Sequence, residues 1–194
     1  MALRVIGISG SPRVGGNTDT ILYKALAAAK EEGAEVQLIR LSDCRLKACD
    51  GCAACFKTKN CVIEDDGKKL YQEIVRSDGV ILGCPSYFQS VTAQMKSFID
   101  RIGYLCIARG RKDFAGKVGG VIAVARRSGL ANVCSQMMNF VIATRMIVPS
   151  GGRVFVVARE KGDVLRDQEG LEAARYLGKM MIKTMVATES VRKS

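Results

Sequence analysis

Leu3-Arg4-Val5-Ile6-Gly7-Ile8-Ser9-Gly10-Ser11-Pro12-Arg13-Val14-Gly15-Gly16-Asn17-Thr18 stands near the start of the chain, and its reading decides the fold. Leu3 to Ile8 is a β-rich run closed by Gly10 and Pro12. From Thr18 to Glu32, Ile21, Leu22, Ala25, Leu26 and Ala29 recur at helical spacing, and Gly33 stops the helix. Val36 to Leu41 supplies a second strand. Strand, small-residue loop, helix and strand in succession make a βαβ unit, which forces a parallel sheet with right-handed crossovers.

The rhythm continues outward. Asp65 and Asp66 are expected to cap a helix whose apolar face is Leu70, Tyr71, Ile74 and Val75. Gly79 to Gly83 is wholly apolar, as in strands buried on both faces. Val91, Met95, Phe98, Ile99 and Ile102 mark a helix, Val118 to Ala125 a strand, and Ala131 to Thr144 a helix. Met146 to Val148 and Val154 to Val157 are strand-like, and a final helix runs from Gln168 to Thr188. No repeat or linker divides the 194 residues, so one doubly wound α/β domain over 1–194 is expected. Ligands in such sheets bind beyond the carboxyl ends of the strands.

Composition narrows the function. Hydrophobic residues make up 48% of the chain, which excludes global disorder. No run approaches the ~18–20 apolar residues of a membrane span, and the N-terminus lacks a cleavage-site pattern. A cytoplasmic protein is expected, with no membrane partner, in which eight cysteines serve as metal ligands, redox groups or buried thiols. Histidine is absent, which removes histidine-based zinc sites and Cys–His or Ser–His–Asp catalysis. The net charge of +11 suits an anionic cofactor or an acidic protein partner. Nucleic acid is disfavoured, because the basic residues are scattered and no recognised binding motif appears.

Three loops are expected on one edge of the sheet. Ser9-Gly-Ser11-Pro-Arg13-Val-Gly-Gly-Asn17-Thr18 joins the first strand to a helix N-terminus, where free N–H groups and the helix dipole favour a phosphate. Its spacing is neither G-x-G-x-x-G nor the Walker pattern. The alternative is an ordinary turn with Asn17 or Thr18 as helix cap. Gly83-Cys84-Pro85-Ser86-Tyr87-Phe88-Gln89-Ser90 follows the third strand, where a planar cofactor bound at the first would extend its ring. Otherwise its aromatics simply cover the core. Ala125-Arg126-Arg127-Ser128-Gly129 ends the fourth strand on the same side.

Cys49, Cys52, Cys55 and Cys61 form a C-x2-C-x2-C-x5-C pattern in an irregular loop, about 44–64, that is long enough to imply a function. The natural occupant is one [4Fe–4S] cluster. Zinc is the rival, although structural zinc usually pairs two knuckles across a longer span. Thiols that hold no metal are the third reading. Cys44 is a spare ligand or a strand end; Cys84 abuts the aromatic turn; Cys106 and Cys134 read as buried small hydrophobes.

Ser-Gly-Ser-Pro-Arg with Gly-Asn-Thr, then Pro-Ser-Tyr-Phe, resembles the NADPH-dependent FMN reductases of the flavodoxin-like superfamily. With the quartet added, the chain looks closest to the iron–sulfur flavoproteins of archaea and anaerobic bacteria. The resemblance implies a flavodoxin-like five-stranded parallel sheet, order 2-1-3-4-5, with helices on both faces. It implies FMN phosphate contacts from Ser9, Ser11, Arg13, Asn17 and Thr18, and ring contacts from Pro85, Ser86, Tyr87 and Phe88. Ala125, Arg127 and Gly129 match a third loop that is richer in glycine in the family. It implies a homodimer or homotetramer. The expected function is FMN-dependent electron transfer with the cluster relaying single electrons, for example from ferredoxin, to a small-molecule acceptor. Direct NAD(P)H oxidation, a flavin dehydrogenase acting on small anions, and a non-enzymatic redox or oxygen sensor are the alternatives.

Overall fold

The computed structural model describes residues 2–190. Strands β1 (Arg4–Ser9), β2 (Glu35–Arg40), β3 (Gly79–Pro85), β4 (Val118–Ala125) and β5 (Arg153–Val157) form one sheet in the order β2-β1-β3-β4-β5. Every neighbouring pair is parallel. β1, β3 and β4 are covered on both faces, and their apolar runs follow from that. β2 and β5 lie at the edges; along β5 buried and exposed residues alternate.

Helices α1 (Asn17–Glu31) and α6 (Gln168–Ala187) cover one face. Ile21, Leu22, Ala25 and Leu26 meet Ala174, Leu177 and Met181 there. Gly178 lets the two helices touch, because a Cβ at that position would collide with the Ala25 carbonyl oxygen. The other face carries α3 (Gly67–Val75), α4 (Ala93–Ala108) and α5 (Leu130–Ala143). Tyr71, Phe98, Phe114 and Phe140 pack together in the core on that side. The flavodoxin-like class and the strand order expected from the sequence are both present.

Three local expectations need correction. The cysteine loop contains a helix, α2 (Ala54–Thr58), entered and left by left-handed residues Ala53 and Lys59. Five residues are too few to show a helical period. Met146 to Val148 forms no strand; Ile147 makes only an isolated bridge to Val118. Asp66 stands at the N-cap of α3, but its side chain makes no capping bond to that helix. Asp66 instead accepts the Arg45 N–H, and Asp65 those of Lys47 and Gly67, so both carboxylates fix the cysteine loop.

Candidate active site

β1 ends at Ser9, whose hydroxyl donates to Asp19 Oδ1 at 2.6 Å inside the protein. Asp19 Oδ2 accepts the Gly15 N–H at 2.8 Å and Arg40 Nε at 2.7 Å. One buried carboxylate thus joins the end of β1, the tip of the loop and the end of β2. Sequence reasoning missed both partners. Asp19 looks like any acidic residue in a helix's first turn, and Arg40 like a polar strand end. Ser11 Oγ accepts the Arg13 N–H at 3.1 Å, which curls the loop.

Gly16 is the N-cap of α1, and no side chain caps the helix. The uncapped N-terminus opens on a cleft of about 180 Å³ whose lining includes Ser11, Arg13, Gly16, Asn17 and Thr18. Free first-turn N–H groups and the helix dipole would favour an anion here. Asn17 is no cap either. Its Nδ2 donates to the Glu160 carbonyl at 2.7 Å and its Oδ1 accepts the Gly162 N–H at 2.8 Å, pinning the chain after β5 against α1.

Pro85, Ser86 and Tyr87 line the same cleft from the end of β3. Tyr87 and Ser90 exchange two backbone hydrogen bonds of 3.0 Å around Phe88 and Gln89, which sit at φ 51° and 61°. Two left-handed residues make the turn that Asn-Gly normally occupies. With larger side chains it stores about 1–3 kcal/mol per residue, as strained functional loops do. Phe88 is fully exposed and does not line the cleft. From the end of β4 come Val124, Ala125 and Arg126. Arg127 is exposed and outside the lining; Gly129 packs under the turn, where a Cβ would collide with Ser86 Oγ. Arg126 and Arg159 do line the cleft and were not foreseen. Arg126 lies one residue from a named position, and Arg159 belongs to no recognisable motif.

Thr92 joins the first two loops. It caps α4 through the Met95 N–H, donates its hydroxyl to the Gly10 carbonyl at 2.6 Å, and gives its own N–H to Cys84 Sγ at 3.4 Å. Cys84 is buried, which pushes its thiol up to about 11 and keeps it protonated at neutral pH. Burial likewise pushes Cys106 and Cys134 up to about 12. Cys44 follows a 3-10 turn at Leu41–Asp43 and donates to the Arg40 carbonyl, away from the quartet.

Cys49, Cys52, Cys55 and Cys61 line one cavity of about 280 Å³, together with Phe56, Val62, Arg101 and Tyr104. Cys49 and Cys52 are exposed, and Cys55 and Cys61 half-buried. Burial raises the Cys55 thiol, and the neighbouring Cys61 adds to that. Among the described residues no three Cys, Asp or Glu side chains converge on a point that could hold one metal ion. A single zinc needs its thiolates about 2.3 Å from one centre, whereas a cube takes each thiolate on a separate iron. All four thiols border one common cavity, the arrangement that a cube would require. Arg101 and Asp65 form a buried bidentate pair beside it, with contacts of 2.9 Å. The sequence suggested only a helix-capping role for Asp65 and did not single out Arg101.

The sequence model of the NADPH-dependent FMN reductase family matches residues 3–160. The chain is 39% identical over 193 residues to an iron–sulfur flavoprotein of Methanocaldococcus jannaschii, covering 94% of this chain and 97% of that protein. The crystal structure of RosB with bound 8-demethyl-8-formylriboflavin 5'-phosphate superposes with TM-score 0.79 at 16% identity, covering 98% of this chain and 82% of the other. A flavodoxin from the domain Archaea superposes with TM-score 0.63 at 14% identity, covering 94% and 99%. The family match defines an FMN-dependent oxidoreductase, and the fold is a flavodoxin-like sheet. The chain belongs to the NADPH-dependent FMN reductase family, within its group of iron–sulfur flavoproteins.

Proposed function

We propose that this chain moves electrons between an acidic carrier such as ferredoxin and FMN, by way of a [4Fe–4S] cluster at Cys49, Cys52, Cys55 and Cys61. The observation that carries the proposal is the pairing of an uncapped helix N-terminus in a cleft with four thiols around a separate cavity. When bound, FMN exchanges electrons singly or in pairs, and a [4Fe–4S] cluster exchanges them one at a time.

The protein's own residues bind and orient. The N-terminus of α1, Ser11, Thr18 and Arg13 would hold the phosphate, with Ser9 acting through Asp19 to fix the loop. Pro85, Ser86, Tyr87 and Ala125 would face the ring from the ends of β3 and β4. Phe88, Arg127 and Gly129 would act from the surrounding loops. The lining of the cleft includes no carboxylate, so no side-chain acid or base is assigned.

The chain would work as a single domain in the cytoplasm, assembled as a homodimer or homotetramer, with a small-molecule acceptor. Among the described residues no helix is long and apolar enough to cross a membrane. The net charge of +11 favours an acidic carrier. The family's description favours a second reading, direct oxidation of NAD(P)H at the flavin. Anaerobic stopped-flow separates the two. Reduction of the FMN by reduced ferredoxin is expected to exceed that by NADPH and to slow as salt rises. Rapid reduction by NADPH with no salt-sensitive response to ferredoxin would favour the second reading.

A further inference from the structure

Arg101 is 4% exposed and lines the cysteine cavity. Its Nη1 donates to the Lys47 carbonyl at 2.8 Å and to Asp65 Oδ2 at 2.9 Å; its Nη2 donates to Asp65 Oδ1 at 2.9 Å. Lys47 lies just before Cys49, and Asp65 just after Cys61, so one guanidinium holds both ends of the cysteine segment. Gly67, the first residue of α3, makes room for it: a Cβ there would stand 2.8 Å from Nη2.

The remaining nitrogen is unusual. Among the described residues, Arg101 Nε is the one buried side-chain nitrogen or oxygen with no hydrogen-bond partner. Native proteins rarely leave a buried donor unmade, and a charged one least of all. Cys61 interacts with this guanidinium. The unpartnered donor therefore belongs to a residue that both lines the cavity and interacts with one of the four thiols.

We propose that Arg101 is a positioning residue of the cysteine site: Nη1 and Nη2 clamp the two ends of the loop, and Nε–H donates to a sulfur of the bound cluster, either thiolate or sulfide. The proposal rests on the cluster reading. A fixed positive charge and an N–H donor at a sulfur stabilise the reduced, more negative cluster, so they raise its potential.

Arg101→Lys keeps the charge and removes the planar fork and Nε. The neutral pair Arg101→Met with Asp65→Asn removes both buried charges, which guards against unfolding by a lone buried carboxylate. Each protein is reconstituted anaerobically with iron and sulfide. The cluster potential is then measured by titration monitored by electron paramagnetic resonance, and iron release is followed under a chelator. Both variants are expected to retain FMN, to show a more negative potential, and to release iron about 10–100-fold faster than the natural protein. Loaded variants with unchanged potential and release rate would overturn the role of Arg101 alone. A natural chain that takes up no iron would overturn it together with the cluster reading.

Discussion

The Asp65 side chain is as buried as that of its partner Arg101, each 2% exposed, and the N–H groups of Lys47 and Gly67 complete its hydrogen bonds. Burial works against the carboxylate. The Arg101 guanidinium and the two N–H groups outweigh it and hold the carboxyl below its ordinary value of 3.8. A carboxyl with a depressed folded-state pKa contributes stability that is complete above the ordinary value and is lost as pH falls through the folded one. Asp65→Ala is therefore expected to cost about 3–5 kcal/mol at pH 7, because it strands a buried cation. The gap to the natural protein should narrow below about pH 4. Thermal unfolding across pH 3 to 7 checks this; a gap that does not change with pH would contradict it. The sequence could not reveal this pair. Asp65 reads as a helix cap and Arg101 as one of thirty basic residues, and only tertiary packing joins positions so far apart.

Among the elements, α4 links the two sites. Its cap, Thr92, holds the loop after β1 at Gly10, and Arg101, further along the same helix, holds the cysteine loop. At about 1.5 Å per residue, the two anchor points are about 14 Å apart along the axis. Thr92→Val removes the cap and the bond to Gly10 in a side chain of similar shape. It is expected to lower stability by about 1–2 kcal/mol and to weaken FMN binding. Chemical denaturation and a flavin fluorescence titration check both effects. Unchanged FMN affinity in a destabilised variant would show that Thr92 does not organise the loop.

Elements with strong periodicity were legible in the sequence. β1, α1, β3 and β4 lie within a residue or two of where the pattern puts them. The 54–58 helix and the turn at Phe88 and Gln89 were not. The first is too short for a period, and the second places large side chains where turn chemistry expects glycine or asparagine. The cleft was legible only where it is built from residues adjacent in sequence. Ser11, Arg13, Asn17, Thr18, Pro85, Ser86, Tyr87 and Ala125 all line it, but Arg159 reaches it from the far end of the sheet.

At the scale of the whole molecule, the β1 and β3 loops open on one cleft, while the long insertion after β2 carries the thiols to a cavity of their own. The doubly wound sheet explains the first arrangement, since its strands end together where the order reverses. Nothing in the sheet requires the second. The cysteine loop is an addition held by α4, by Arg101 and by Lys59, whose Nζ donates to the Ala108 carbonyl at 3.0 Å. Two redox groups on one rigid sheet form the central claim. The most direct test is anaerobic purification followed by metal and flavin analysis and electron paramagnetic resonance of the reduced protein, alongside Cys52→Ser. The claim predicts one FMN and about four irons per chain, a reduced-cluster signal in the natural protein, and loss of iron with retention of FMN in the variant. Zinc in place of iron, or a colourless protein without metal, would contradict it.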